Sequence, residues 1–183
     1  MFRALGQPLR AWKKYLMSFL EARTYQLATA ITCVSEDTKQ SLVEDYGIAA
    51  EKITVIENPI DVQRIPVTIE QGNERTLLFV GRLEERKGIF TLLRALKLLE
   101  KIPNPPRLLC LGADMLSGRV RRWVEENTMN DIIDLKGHVP DSEYHALLQQ
   151  CPIVVVPSYL EGFGLVAAEA MMRGACVIAS NCP

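Results

Sequence analysis

The sequence predicts a doubly wound α/β domain built on a parallel sheet, and three observations lead there. Five short apolar runs recur along the second part of the chain, near Thr76–Val80, Arg107–Leu111, Ile132–Leu135, Ile153–Val156 and Cys176–Ala179, each parted from the next by a helix-length segment. Strands so uniformly apolar are expected where a parallel sheet is covered by helices on both faces, and the alternation requires crossover connections. The chain has 183 residues, 48% of them hydrophobic, which is enough for one full domain with a buried core and part of another.

The elements before this region read differently. Residues 2–30 are expected to form one helix, because Leu5, Leu9, Trp12, Leu16, Phe19, Leu20 and Leu27 recur at helical spacing and no proline follows Pro8 within it. Its other side carries Arg3, Arg10, Lys13 and Lys14 within about 100° on a helical wheel. Such a face is ordinarily a solvated surface of a packed helix, and it also suits peripheral contact with an anionic membrane. A strand over Ile31–Val34 follows, then a helix from Ser35 to about Tyr46 stopped by Gly47. The next strand covers Lys52–Ile56, and Asn58-Pro59 closes it. Residues 61–75 mix Pro66, Gly72 and polar side chains without periodicity and read as a linker. The expected organisation is thus 1–60, a linker over 61–75, and the α/β domain over 76–183.

Composition removes several function classes. A formal net charge of −1 gives no basic footprint for nucleic acid. Cys33, Cys110, Cys151, Cys176 and Cys182 are odd in number, widely spaced and mostly set in apolar runs, as free buried thiols would be; no CxxC pair or Cys/His cluster points to a metal. With no secretory signal and no uninterrupted apolar stretch of about 20 residues, a cytoplasmic location is expected.

In doubly wound folds ligands bind at the carboxyl ends of the strands, which directs attention to the loops after Val80, Leu135 and Val156. After Val80 come Gly81-Arg82-Leu83-Glu84-Glu85-Arg86-Lys87-Gly88. Arg82 can fork onto two phosphate oxygens, Lys87 adds a compact charge, and the glycines admit a close ligand; the same residues also read as solvated loop charges. After Val156 comes Pro157-Ser158-Tyr159-Leu160-Glu161-Gly162-Phe163-Gly164-Leu165, leading into Val166-Ala167-Ala168-Glu169-Ala170. A helix starting near Gly164 would leave the N–H groups of Phe163, Gly164 and Leu165 unpaired and favourable to a phosphate. Carboxylates suit paired hydroxyls better than phosphate. Glu161 and Glu169 therefore imply a sugar at each end of an anion cradle, and Glu169, set among apolar neighbours, needs a polar partner if it is buried.

Glu161-Gly162-Phe163-Gly164-Leu165 with Glu169-Ala170 resembles the Glu-x7-Glu motif of family 4 retaining glycosyltransferases of the GT-B fold. Val80-Gly81-Arg82-Leu83 with Lys87-Gly88, the Gly137-His138-Val139 turn, Val34-Ser35 and the run Val55-Ile56-Glu57-Asn58-Pro59-Ile60-Asp61 resemble further family segments in family order. The resemblance covers roughly Ala28 to Pro183. It implies a Rossmann-like donor-binding domain preceded by the end of an acceptor-binding domain, and metal-independent transfer of a sugar, with retention, from a UDP or GDP sugar to an acceptor hydroxyl on a saccharide, a lipid or a small molecule. By resemblance, Gly81, Arg82 and Lys87 lie at the diphosphate, Glu161 at the donor sugar and Glu169 at the ribose, with His138 and Val139 beside the base. No separate cofactor is implied.

Two departures stand out. Asn58-Pro59 replaces the family's Asn-Gly, and the only histidines, His138 and His145, do not match the acceptor-side histidine of the family. Much of the acceptor half and the closing segment of the donor domain are expected to be missing from this chain, which would leave it inactive alone. A nucleotide-sugar-binding module without turnover is the alternative. A sugar-nucleotide epimerase is disfavoured, because no acid/base set for one is visible.

Overall fold

The computed structural model describes residues 11–60 and 75–182, and side chains from Tyr15 onward. Two compact units emerge, one ending at Pro59 and one running from Ile60 to Cys182. The segment expected to be a linker lies outside the described residues apart from Arg75.

In the first unit, α1 (Ala11–Leu27), β1 (Ile31–Cys33), α2 (Glu36–Tyr46) and β2 (Ile53–Val55) follow in order. Strands β1 and β2 pair in parallel, Ile31 against Ile53 and Cys33 against Val55. The Ser35 side chain accepts from the Thr38 N–H and starts α2, and Gly47 at φ 65° ends it, its N–H bonded back to Leu42 and Val43 carbonyls. Cys33, Leu42, Ile48 and Ile53 form the small core, with Tyr25 and Tyr46 edge to face beside it.

The long helix expected over residues 2–30 ends at Leu27, where the chain must straighten to enter β1; residues 2–10 are outside the described set. Among the described residues, its apolar stripe does not find the cover expected of a packed helix. Leu16, Phe19, Leu20 and Leu27 are all exposed. The second strand also shortens, because Lys52 belongs to a 3₁₀ turn over Ala50–Lys52.

The second unit carries β3 (Thr76–Val80), α3 (Ile89–Leu99), β4 (Arg107–Leu111), α4 (Arg119–Glu126), β5 (Ile133–Gly137), α5 (Asp141–Gln150), β6 (Ile153–Val156), α6 (Leu165–Met172) and β7 (Cys176–Ala179). Its sheet is wholly parallel, with order β5-β4-β3-β6-β7. The chain winds outward from β3 through β4 to β5, then returns to β6 on the other side of β3. A doubly wound sheet therefore reverses between β3 and β6, and that is where such folds open a crevice at their carboxyl ends.

Alternation along the strands explains the two covering layers. Phe79, Leu108, Cys110, Ile133 and Val155 share a core with Ile89, Leu93 and Leu96 of α3 and Val120 and Val124 of α4. Leu78, Leu111 and Val154, one residue out of step and so on the opposite face, join Leu148 of α5 and Ala170 of α6. Burying both faces is what makes the strands continuously apolar in sequence.

Three details depart from expectation. Strand β5 starts at Ile133 and runs two residues past Leu135, because the β4–β5 register shifts between Cys110 and Leu111 so that Leu111 meets Gly137; the loop that follows begins at His138. Glu100 caps α3 rather than belonging to it. Of the five thiols, Cys33, Cys110 and Cys151 are buried as expected; Cys176 is exposed, since β7 presents much of its surface to solvent, and Cys182, beyond that strand, is half-buried.

Candidate functional site

At the carboxyl end of the sheet, Val80 and Val156 close the two strands flanking the reversal. The loops that follow them, 81–88 and 157–164, are joined directly. The Tyr159 N–H donates to the Arg86 carbonyl at 2.7 Å, Arg86 Nη1 donates to the Leu160 carbonyl at 3.4 Å, and the Thr91 and Tyr159 hydroxyls hydrogen-bond. Backbone approach is close enough that a Cβ on Gly88 would stand 1.8 Å from the Pro157 carbonyl oxygen, and Gly88 itself adopts φ 69°. Only glycine fits there, on both counts.

That junction places Lys87 against Glu161. Lys87 Nζ donates to Glu161 Oε1 at 2.5 Å, and the same oxygen accepts from Ser158 Oγ at 2.7 Å. Both ends of the ion pair are largely shielded, at 17% and 22% side-chain exposure, and Ser158 is buried. A charge-assisted bond in this setting is stronger than a surface pair. Arg82 is held differently: its side chain is 57% exposed and lies 3.5 Å from Glu84, whose carboxylate is more tightly engaged by Arg86 at 2.8 Å.

Helix α6 begins at Leu165 behind Gly164 in the left-handed region, with no side chain capping it. Ala168 is the first residue whose N–H reaches back, to the Gly164 carbonyl. The amides left without an intrahelical acceptor are therefore those of Gly164 to Ala167, and Phe163 stands one residue ahead of that set.

Glu169, a turn and a half into α6, is half-buried and has the polar partner its position requires: it accepts a hydrogen bond from the Tyr144 hydroxyl of α5. Burial and then that bond hold the Tyr144 phenol above its ordinary value, so the hydroxyl remains a donor. Four residues on, buried Arg173 donates from Nη1 to the Glu169 carbonyl at 3.1 Å and from Nη2 to His145 Nδ1 at 2.8 Å. A guanidinium can only donate, so His145 Nδ1 is an acceptor.

The sequence-predicted residues divide accordingly. Gly81, Arg82 and Lys87 stand after β3, Glu161, Phe163, Gly164 and Leu165 after β6, and Glu169 on α6. The structure joins Lys87 with Glu161 and gives Glu169 a separate partner. After β5, His138 is exposed and Val139 packs into the α5–α6 core. Sequence reasoning missed Ser158, Tyr144, His145 and Arg173. Arg173 had a signal in its i, i+4 spacing from Glu169. Tyr144, 25 residues away from Glu169, had none. Among the described residues, a shallow cavity of about 350 Å³ between Arg107, Asn130 and Ile133 lies at the opposite end of the sheet, where β3 and β4 begin.

The fold is a Rossmann-like α/β domain of the GT-B type, preceded by a remnant of an N-terminal domain. The family model described as "Glycosyl transferases group 1" matches residues 63–183, and "Glycosyltransferase Family 4" matches residues 2–64. The chain belongs to the group 1 glycosyl transferases. It is 32% identical over 157 residues to a glycogen synthase of Mycobacterium tuberculosis, covering 82% of this chain and 37% of that protein. To a GDP-mannose:cellobiosyl-diphosphopolyprenol alpha-mannosyltransferase of Xanthomonas oryzae pv. oryzae it is 32% identical over 138 residues, covering 74% of this chain and 36% of the other. The chain thus spans little more than a third of the length of these relatives. Its fold is similar to that of TarM from S. aureus, crystallised with fondaparinux, alpha-GlcNAc-glycerol and UDP, at TM-score 0.76 and 19% identity, covering 93% of this chain and 32% of that one.

Proposed function

We propose that this chain supplies the donor-binding half of a glycosyltransferase that moves a sugar from a nucleoside-diphosphate sugar to an acceptor hydroxyl with retention of configuration. The observation that carries the reading is the meeting of Lys87 with Glu161 at the sheet's reversal point, beside an uncapped helix start. Arg82 and Lys87 take the diphosphate together with the amides of Gly164 and Leu165, while Gly81 and the segment around Phe163 admit its close approach. As the bond from the anomeric carbon to the diphosphate oxygen breaks, negative charge grows on the phosphate, and these donors are positioned to stabilise it without a metal or other cofactor. Glu161 serves the transferred sugar, Glu169 the ribose, and His138 with Val139 the base.

The GDP-mannose used by the Xanthomonas relative and the UDP bound by TarM support a UDP or GDP sugar. The acceptor is left to residues on the other lobe of the whole enzyme. The setting of this proposal is the cytoplasm; among the described residues no helix is long and apolar enough to cross a membrane. Peripheral membrane contact through the N-terminal helix belongs to the same proposal, supported by the exposed Tyr15, Leu16, Phe19 and Leu20 of α1.

A thermal-shift panel of UDP and GDP sugars tests this reading, because a ligand that binds only the folded state raises its melting temperature. At least one sugar nucleotide should stabilise the chain more than its free nucleoside diphosphate does. A flat response across the panel would refute the donor-binding role.

A further inference from the structure

We infer that Tyr144 is a positioning residue for the ribose-binding carboxylate: its hydroxyl on α5 grips one oxygen of Glu169 on α6 and turns the other toward the nucleotide. The inference rests on the proposed role of Glu169 as ribose acceptor and adds the group that aims it.

Three observations converge. First, a glutamate side chain has three rotatable bonds, and fixing it costs rotamer entropy that ligand binding would otherwise have to supply. Glu169 is spared that freedom, because the Tyr144 hydroxyl donates to its Oε2. Each carboxylate oxygen accepts about two hydrogen bonds, so Oε1 keeps its full capacity for a pair of sugar hydroxyls.

Second, the helix carrying the phenol is itself held in register with α6. His145, the next residue on α5, accepts from Arg173 Nη2 at 2.8 Å, and Arg173 Nη1 binds the Glu169 carbonyl at 3.1 Å. Adjacent residues of one helix thus meet an i, i+4 pair of the other. Beneath them Leu148 and Ala170 are fully buried in a shared core. Rotation of α5 about its axis would break both polar bonds together.

Third, the phenol keeps its proton at neutral pH, since burial and the neighbouring carboxylate both oppose its ionisation. It is therefore a lasting donor at the carboxylate and never a competing anion.

The test compares UDP and GDP, each against a dideoxy counterpart lacking both ribose hydroxyls, by calorimetry on the unmodified chain and on Tyr144→Phe. The ratio of ribo to dideoxy affinity is the readout, because partial unfolding lowers both affinities equally and leaves it unchanged. The unmodified chain should favour the ribo form by about tenfold, and Tyr144→Phe should reduce that preference to about threefold or less. A preference undiminished in Tyr144→Phe would overturn the positioning role while leaving Glu169 as the ribose acceptor. Tighter ribo binding by the variant would also overturn it, by showing that the hydroxyl competes with the sugar. No preference in the unmodified chain would instead remove the ribose role of Glu169, and the inference with it.

Discussion

Lys87 Nζ stands 2.5 Å from Glu161 Oε1, although 74 positions separate the two residues in sequence. The cation proposed for the diphosphate thus already holds the carboxylate proposed for the sugar. Incoming phosphate must share Lys87 with Glu161, so the negative charge of Glu161 opposes the free nucleoside diphosphate and is useful only when a sugar is attached.

Glu161→Gln should therefore split the two ligands. Calorimetry should show free UDP or GDP binding as well as before or up to about threefold more tightly, while the matching sugar nucleotide weakens by about tenfold. Equal losses for both ligands would contradict the assigned role of Glu161.

Gly88→Ala should be severe. Its Cβ would fall 1.8 Å from the Pro157 carbonyl oxygen, on a backbone already at φ 69°, whereas Gly47, at φ 65°, has nothing within 4 Å of an added Cβ. Denaturant unfolding should register a loss of about 3 kcal/mol or more for Gly88→Ala and about 1 kcal/mol for Gly47→Ala. The difference between them isolates the clash of the two loops from the backbone strain they share.

Alkaline pH should weaken the second unit. Burial pushes the Cys151 thiol from 9.0 up to about 11. A group whose folded value is raised contributes stability that is fully present below its unfolded value and is lost as pH rises toward the folded one. The melting temperature should fall between about pH 9 and 11, and Cys151→Ala should flatten that limb relative to the unmodified chain.

Much of this architecture could be read from sequence because burial on both faces of a parallel sheet leaves an unambiguous mark. The apolar runs around Phe79, Cys110 and Val155 placed their strands at the observed bounds, and Ser35 and Gly47 bounded α2 by their capping chemistry. Residues joined across long sequence separations were less legible. Lys87 and Glu161 could each be singled out, but their ion pair exists only because β3 and β6 are neighbours. The Tyr144–Glu169 bond likewise depends on how α5 and α6 settle over the same core, and a tyrosine on an amphipathic helix carries no sign of its partner. The β5 boundary slipped for a similar reason, since the register shift opposite Cys110 and Leu111 is a property of two strands together.

The donor diphosphate is proposed to be held by Arg82, Lys87 and the start of α6. The most direct test is calorimetric titration of UDP and GDP into the unmodified chain and into Arg82→Ala/Lys87→Ala, at low and at high salt. The expected result is binding of at least one nucleotide that weakens by about tenfold or more in the double variant and loses most of its salt dependence there. Affinity and salt dependence unchanged by removing both cations would mean that the diphosphate is not held there.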